Sequence, residues 1–209
     1  MTELILVRHA QPKGDEADPS LSETGHRQAE RVARWLAAER IDVLLSSPLR
    51  RAVETAAPIA RFTGLEPVVL ADLREWVRVP PRPFYSPLDA LPDDHPQVRS
   101  LVEGRYDDFV PTIDIPAFRA QAARVLDEMF TRWPVERIVA VCHGGIINAM
   151  LAELLQLVDR FFFVFPAYTS LTILEKAPEG KVAIRAVNDT GHLVGTRDEG
   201  AVRPSVRAG

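Results

Sequence analysis

The sequence predicts an α/β fold with a largely parallel central sheet, closed by antiparallel strands near its end. Three observations carry this. Short apolar runs alternate with segments of helical period. Two of these runs end in chemistry-bearing residues with no polar spacer: residues 3–7 lead straight into Arg8 and His9, and residues 138–142 straight into His143. Two late strand-like runs flank the turn Ala177-Pro178-Glu179-Gly180, which reads as a hairpin.

With 209 residues and 46% hydrophobic content, the chain can bury one sizeable core, and a single domain over residues 1–209 is expected. A net charge of −4 argues against nucleic acid or an anionic membrane as partner, since both need a broad basic field. The first strand opens at residue 3, which leaves no room for a secretory leader, and no apolar run nears the roughly 20 residues that span a bilayer. A cytoplasmic protein is expected. The single cysteine, Cys142, allows neither an intramolecular disulfide nor a Cys-based zinc site.

The first strand, Glu3-Leu4-Ile5-Leu6-Val7, ends in Arg8 and His9 and is followed by a polar, turn-rich loop over residues 11–19. Ser22 can cap a helix whose Gly25, Ala29, Val32, Ala33 and Leu36 share one face, with His26 on the solvent side. Residues 41–45 form a second strand, and Ser46-Ser47-Pro48 turns it into a helix. There Leu49, Ala52, Val53, Ala56 and Ile59 make the expected apolar stripe, and Arg50 pairs outward with Glu54 at i+4. Arg51 shares a different edge with Thr55 in the first turn, where open α/β sheets bind anions.

Residues 67–70 are a third strand, followed by Asp72-Leu73-Arg74-Glu75-Trp76. Eight of the 17 prolines lie between Pro80 and Pro116, so a proline-rich insertion with sparse regular structure is expected around 77–115, placed to act as a lid. Asp114 and Pro116 open a helix carrying Phe118, Ala122, Val125, Leu126, Met129 and Trp133 inward, closed by Pro134. The second key strand follows, ending in Cys142-His143-Gly144-Gly145, and then a helix with Ile147, Leu151, Leu154 and Leu155. The dense run Phe161-Phe162-Phe163-Val164-Phe165 reads as core, with a homodimer contact as the alternative.

Spacing removes several chemistries. No two histidines stand at i and i+4 to hold zinc. A cysteine phosphatase loop needs an arginine six residues after its cysteine, and that position is Asn148. No G-x-S-x-G elbow and no Gly-rich nucleotide loop is present. What is left is an arginine and a histidine at one strand end, an arginine at a helix start and a histidine at another strand end. Two fixed charges and two imidazoles make a pocket for a phosphoryl group.

This constellation resembles the histidine phosphatase superfamily, the phosphoglycerate mutase-like proteins of branch 1. Leu6-Val7-Arg8-His9-Ala10 is similar to the family's L-V-R-H-G, and Leu21-Ser22-Glu23-Thr24-Gly25 with Gln28-Ala29 to its next block. Ser46-Ser47-Pro48-Leu49-Arg50-Arg51-Ala52-Val53-Glu54-Thr55-Ala56 is similar to S-S-x-L-x-R-A-x-x-T-A. Leu73-Arg74-Glu75, Val141-Cys142-His143-Gly144-Gly145 and Asn188-Asp189-Thr190-Gly191-His192-Leu193 follow in the family's order.

The resemblance implies a three-layer sandwich with helices on both faces of the sheet, and a metal-independent phosphomonoesterase of the histidine acid phosphatase type with no cofactor. It implies His9 as the nucleophile that becomes phosphohistidine, and Arg8 and Arg51 as clamps on the phosphoryl oxygens. It further implies His143 as a third donor and Glu75 as the acid that protonates the leaving oxygen. For that last role Glu75 needs a raised pKa. Ala10 and Gln11 stand where the family usually has glycine and an acidic residue. The W-E-G segment common after L-R-E is missing, and so are the F-T-G-W-like and Y-G-x-L-x-G segments by which mutases hold a phosphoglycerate, which favours a phosphatase over a phosphomutase; the intact His9, His143 and Glu75 speak against a non-catalytic phospholigand-binding module. A small phosphorylated substrate or a phosphoprotein is implied, with Lys13, Arg74, Arg78 and Arg82 available to widen the positive region.

Overall fold

The computed structural model describes residues 1–14, 16–76, 91–92, 94–103, 105, 113–158 and 162–194. Most of the proline-rich 77–115 stretch, with Arg78 and Arg82, therefore lies outside the described residues, as do Phe161 and the tail from residue 195. Among the described residues no helix is long and apolar enough to cross a membrane.

The strands are β1 (Thr2–Arg8), β2 (Val43–Ser46), β3 (Val68–Val69), β4 (Arg137–Cys142), β5 (Leu171–Lys176) and β6 (Val182–Asp189). The helices are α1 (Glu23–Leu36), α2 (Arg50–Thr63), α3 (Pro96–Val102), α4 (Ile115–Arg132) and α5 (Gly144–Leu154). The strands form one sheet in the order β3-β2-β4-β1-β5-β6. From β3 to β1 all pairings are parallel, and β5 and β6 close the sheet antiparallel, as the hairpin pattern predicts.

Side-chain alternation along the central strands builds the three layers. Leu4 and Leu6 of β1 and Ile138, Ala140 and Cys142 of β4 face one way, into a core completed by Phe118, Val125 and Met129 of α4 and Ile146, Ile147 and Met150 of α5. Ile5 and Val7, with Val139 and Val141, face the other way, onto Val32 and Leu36 of α1 and Ala52, Ala56 and Ile59 of α2. Both faces are covered, so the central strands are apolar throughout, and their polar chemistry is confined to their ends.

The helix starts follow their capping residues. Ser22 Oγ accepts from Gly25 N–H (3.0 Å) at α1, and Asp114 accepts from Ala117 N–H (2.9 Å) at α4. Gly25 is required by close approach, since a Cβ there would stand 2.0 Å from the carbonyl oxygen of Gln11. His26 is exposed, as its place off the stripe predicts.

Two packing expectations are corrected. In α2 Val53 is 43% exposed, and the buried arc runs instead through Arg51, Ala52, Thr55, Ala56 and Ile59. The helix turns its Arg51 edge inward because that edge serves a polar site rather than the apolar core. In α5 every residue from Gly144 to Ala152 is buried, whereas Leu155 beyond the helix end is 49% exposed. Within the 77–115 stretch, residues 96–102 form α3, with Val98 and Ser100 buried.

The aromatic run divides. Phe162 is buried in the α4/α5 core, Phe163 and Val164 pack against it, and Phe165 is partly exposed. Fully buried Asn148 fixes this run to α5. Its Nδ2 donates to Gly144 O and Val164 O (both 2.8 Å), and its Oδ1 accepts from Phe163 N–H and Val164 N–H (both 2.9 Å).

Candidate active site

The register of the central strands assembles the site. Arg8 lies beside Cys142 across the parallel β1/β4 pair, and His9 N–H donates to Cys142 O at 2.9 Å. The two strands end level, and the next residue of each is a histidine, so the rings of His9 and His143 come to a centroid distance of 5.1 Å. Ser47 joins the row because Ser46 pairs with Val141 and Ser47 N–H donates to Val141 O (2.9 Å). The carboxyl ends of parallel strands are where α/β sheets place their ligands.

His9 is 1% exposed, and its Nδ1 stands 2.8 Å from Ala10 O. A carbonyl can only accept, so Nδ1 carries the proton and Nε2 presents its lone pair. Arg51 Nε donates towards that Nε2 at 3.3 Å. Burial, then the charges of Arg51 and Arg8, hold the His9 pKa well below the usual histidine range, against the opposing effect of the Ala10 hydrogen bond. His9 is therefore neutral at neutral pH.

Arg51 is 3% exposed, and its guanidinium is 3.5 Å from Asp18 Oδ1. Asp18 also accepts from Arg50 N–H with both oxygens (3.0 and 3.1 Å), complementing the positive end of the α2 dipole. One turn further on, Thr55 Oγ1 donates to Arg51 O (2.6 Å) and accepts from Ala10 N–H (3.0 Å), which fastens α2 to the end of β1. The Ala10 side chain packs with Leu21 and Ala29, so the chain accommodates a methyl at this position. Gln11 turns to α1 instead of the pocket, its N–H donating to Gln28 Oε1 (2.9 Å) and its Oε1 accepting from Ser22 Oγ (2.8 Å).

Arg8 is 8% exposed, donates to Pro166 O and lies over the ring of Tyr168 at 4.2 Å. His143 is fully buried, with Nε2 2.7 Å from Ser47 Oγ and a buried Nδ1 that has no hydrogen-bond partner among the described residues. Burial, followed by the charges of Arg51, His9 and Arg8, lowers its pKa well below the usual range.

Glu75 reaches the cluster from beyond the 3-10 turn Ala71–Leu73, which fully buried Leu73 anchors in the core. Its Oε2 accepts from Gly145 N–H (2.9 Å) and its Oε1 from Trp76 N–H (3.3 Å). Burial raises the Glu75 pKa and outweighs those hydrogen bonds and the pull of Arg51 and Arg8, all of which favour the carboxylate. Trp76 is set by edge contacts with Phe118 (5.8 Å) and Phe162 (6.2 Å). The other acid of the segment, Asp72, pairs with Arg124 of α4 at 3.1 Å.

All five residues singled out in the sequence, Arg8, His9, Arg51, Glu75 and His143, thus belong to one cluster. Lys13 and Arg74 are exposed. The Cys142 thiol is pushed up by burial and by the charge of Glu75, which keeps it protonated. Among the described residues no three His, Cys, Asp or Glu side chains gather as a metal site. Sequence reasoning missed Ser47, Asp18 and Tyr168 as neighbours of the site. Ser47 lay inside a recognised motif, while Tyr168 carried no local signal at all.

The α/β sandwich thus gathers two buried imidazoles and two buried guanidinium groups at the carboxyl end of its parallel strands. The chain belongs to the histidine phosphatase superfamily (branch 1), whose family model matches residues 4–190. It is 44% identical over 73 residues to phosphoserine phosphatase 1 of Hydrogenobacter thermophilus, a match spanning 32% of this chain and 35% of that protein. Its fold is similar to that of a phosphoserine phosphatase mutant from Entamoeba histolytica in complex with phosphoserine, with 24% identity and a TM-score of 0.72 over 93% of this chain and 100% of that one. A mycobacterial glucosyl-3-phosphoglycerate phosphatase in complex with VO3 is 26% identical, with a TM-score of 0.73 over 90% of this chain and 99% of that one.

Proposed function

We propose that this protein is a metal-independent phosphomonoester hydrolase of the histidine acid phosphatase type, working through a phosphohistidine on His9. The observation that carries this reading is the state of His9: a buried neutral imidazole, its Nδ1 proton tied to Ala10 O and its Nε2 lone pair facing Arg51. A neutral imidazole is a nucleophile towards phosphorus where an imidazolium is not, and this tautomer makes Nε2 the attacking atom.

In this mechanism the Arg51 N–H moves from His9 Nε2 to a phosphoryl oxygen as substrate binds, and Arg8 takes a second oxygen. Planar guanidinium forks match phosphate geometry and supply the charge that a metal would otherwise bring. His143 is neutral, so it has one N–H. With the Ser47 hydroxyl donating into Nε2, that proton sits on Nδ1, which has no partner among the described residues, and serves the developing charge.

His9 Nε2 bonds to phosphorus as the ester P–O bond breaks, and protonated Glu75 gives its proton to the leaving oxygen. Glu75, now a carboxylate, takes a proton from water as that water attacks phosphorus, breaking the P–N bond and releasing phosphate. Burial keeps Glu75 protonated to higher pH than an ordinary glutamate, as the first step requires.

A small phosphorylated metabolite is the substrate class this reading favours, supported by the relatives named for phosphoserine and glucosyl-3-phosphoglycerate. Residues 1–209 act in it as one domain with 77–115 as an insertion. The test is a panel of phosphate esters, run with wild type and His9→Ala, with and without chelator. Hydrolysis by wild type alone, unaffected by chelator and accompanied by an acid-labile, base-stable phosphoenzyme, is expected. Activity that survives in His9→Ala, or that the chelator abolishes, would overturn the mechanism. Isomerised monophosphate in place of free phosphate would make it a mutase.

A further inference from the structure

We infer that Tyr168 is a positioning residue of the phosphoryl site, an aromatic platform that fixes the guanidinium plane of Arg8. The inference rests on the reading that Arg8 holds a phosphoryl oxygen. The Arg8 Cζ lies 4.2 Å from the Tyr168 ring centroid, and both residues are nearly inaccessible, at 8% and 4% exposure. A cation over an aromatic face is strongest where water is excluded, because nothing screens the ring's quadrupole. The same ring stands 5.8 Å from His9 at an interplanar angle of 48°. Tyr168 therefore flanks both groups at the end of β1.

The backbone around Tyr168 is held as though its placement mattered. Thr169 adopts φ +59°, a left-handed conformation that a β-branched residue rarely takes, and it is fully buried. Its N–H donates to Arg8 O (3.0 Å), and its Oγ1 donates to Tyr168 O (2.7 Å). Arg8 N–H in turn donates to Ser170 O (3.2 Å). His192 Nε2 lies 3.0 Å from Thr169 Oγ1 and donates to it, since the hydroxyl proton is already committed. On the other side Ala167 N–H donates to Asn188 Oδ1 (2.6 Å), and the Pro166 carbonyl accepts from the Arg8 guanidinium.

The segment thus grips the Arg8 backbone at two points and its side chain at two more, the Pro166 carbonyl at an edge and the Tyr168 ring at a face. Those two side-chain contacts remove rotation about the guanidinium axis, leaving the fork in one plane. A pre-set fork loses less freedom on taking a phosphoryl oxygen, so Tyr168 contributes to phosphate affinity without touching the phosphate.

The test measures binding of inorganic phosphate by calorimetry and p-nitrophenyl phosphate kinetics, for Tyr168→Phe and Tyr168→Leu, in wild-type and Arg8→Gln backgrounds. Tyr168→Phe keeps the ring face and should bind phosphate within about twofold of wild type. Tyr168→Leu should weaken phosphate about tenfold in the wild-type background and cause no further loss beside Arg8→Gln, because the pair acts as one unit. Should Tyr168→Leu fail to fold by circular dichroism, Tyr168→Met replaces it with the same expectation.

An equal loss in both backgrounds, or a loss in Tyr168→Phe as large as in Tyr168→Leu, would overturn the inference. A wild-type protein that binds phosphate but hydrolyses nothing would overturn the hydrolase reading, and the binding data would still decide the part of Tyr168. One that does not bind phosphate would overturn both.

Discussion

The carboxylate of Glu75 accepts a 2.9 Å hydrogen bond from the backbone N–H of Gly145, two residues beyond His143. The acid and the second histidine are thereby locked to the same turn, the first of α5, although they come from separate parts of the chain. A Cβ on residue 145 would stand 1.8 Å from the Trp76 ring and 2.3 Å from Glu75 Oε1. Gly145→Ala should displace both groups. We expect activity to fall by about two orders of magnitude and stability by about 1–3 kcal/mol, read from steady-state kinetics and thermal melts. A variant with wild-type kinetics would show that Glu75 needs no such seat.

Glu75→Gln removes the proton donor of the proposed mechanism and preserves its shape. Esters with poor leaving groups, such as alkyl phosphates, should slow by roughly 10²–10⁴-fold, and activated aryl phosphates far less. Comparing kcat for a serine phosphate and a nitrophenyl phosphate checks this. Equal effects on both would assign the acid elsewhere.

Ser47→Ala deprives His143 Nε2 of its 2.7 Å partner and frees the ring to change tautomer. The loss should appear mainly in kcat, at about tenfold, since His143 is assigned to charge that develops during transfer. Ser47→Thr restores the hydroxyl and should recover part of the rate. A KM effect alone would place Ser47 in ground-state binding.

Stability should fall on the acid side. His9 and His143 have folded-state pKa values well below the unfolded value near 6.5, and His192 is lowered to about 4, first by burial and then by Arg31, against Asp189. The unfolded chain then binds protons that the folded chain refuses, so stability decreases as pH drops from about 6.5 through about 4. Glu75, raised in the folded state, works in the opposite sense over its own range. Melting temperatures from pH 7.5 downward should show the decline, and His192→Gln should make it shallower. An unchanged slope in that variant would remove His192 from the balance.

The sequence alone determined the alternation of strands and helices, the closing hairpin, the caps at Ser22 and Asp114, and the motif residues Arg8, His9, Arg51, Glu75 and His143. These are local properties: a buried strand shows as an apolar run, a cap as a polar residue before a periodic segment, and a strand-ended histidine as an abrupt change of polarity. Tertiary structure decided the rest. The register of β1 against β4 set His9 beside His143, a relationship between residues 134 positions apart in the chain. The outward turn of Val53 and the inward turn of Arg51 followed from what α2 packs against. Tyr168 and Thr169 were silent in the sequence because their meaning lies in the Arg8 they meet, and no spacing rule reports a stacking partner that only folding brings within 4.2 Å.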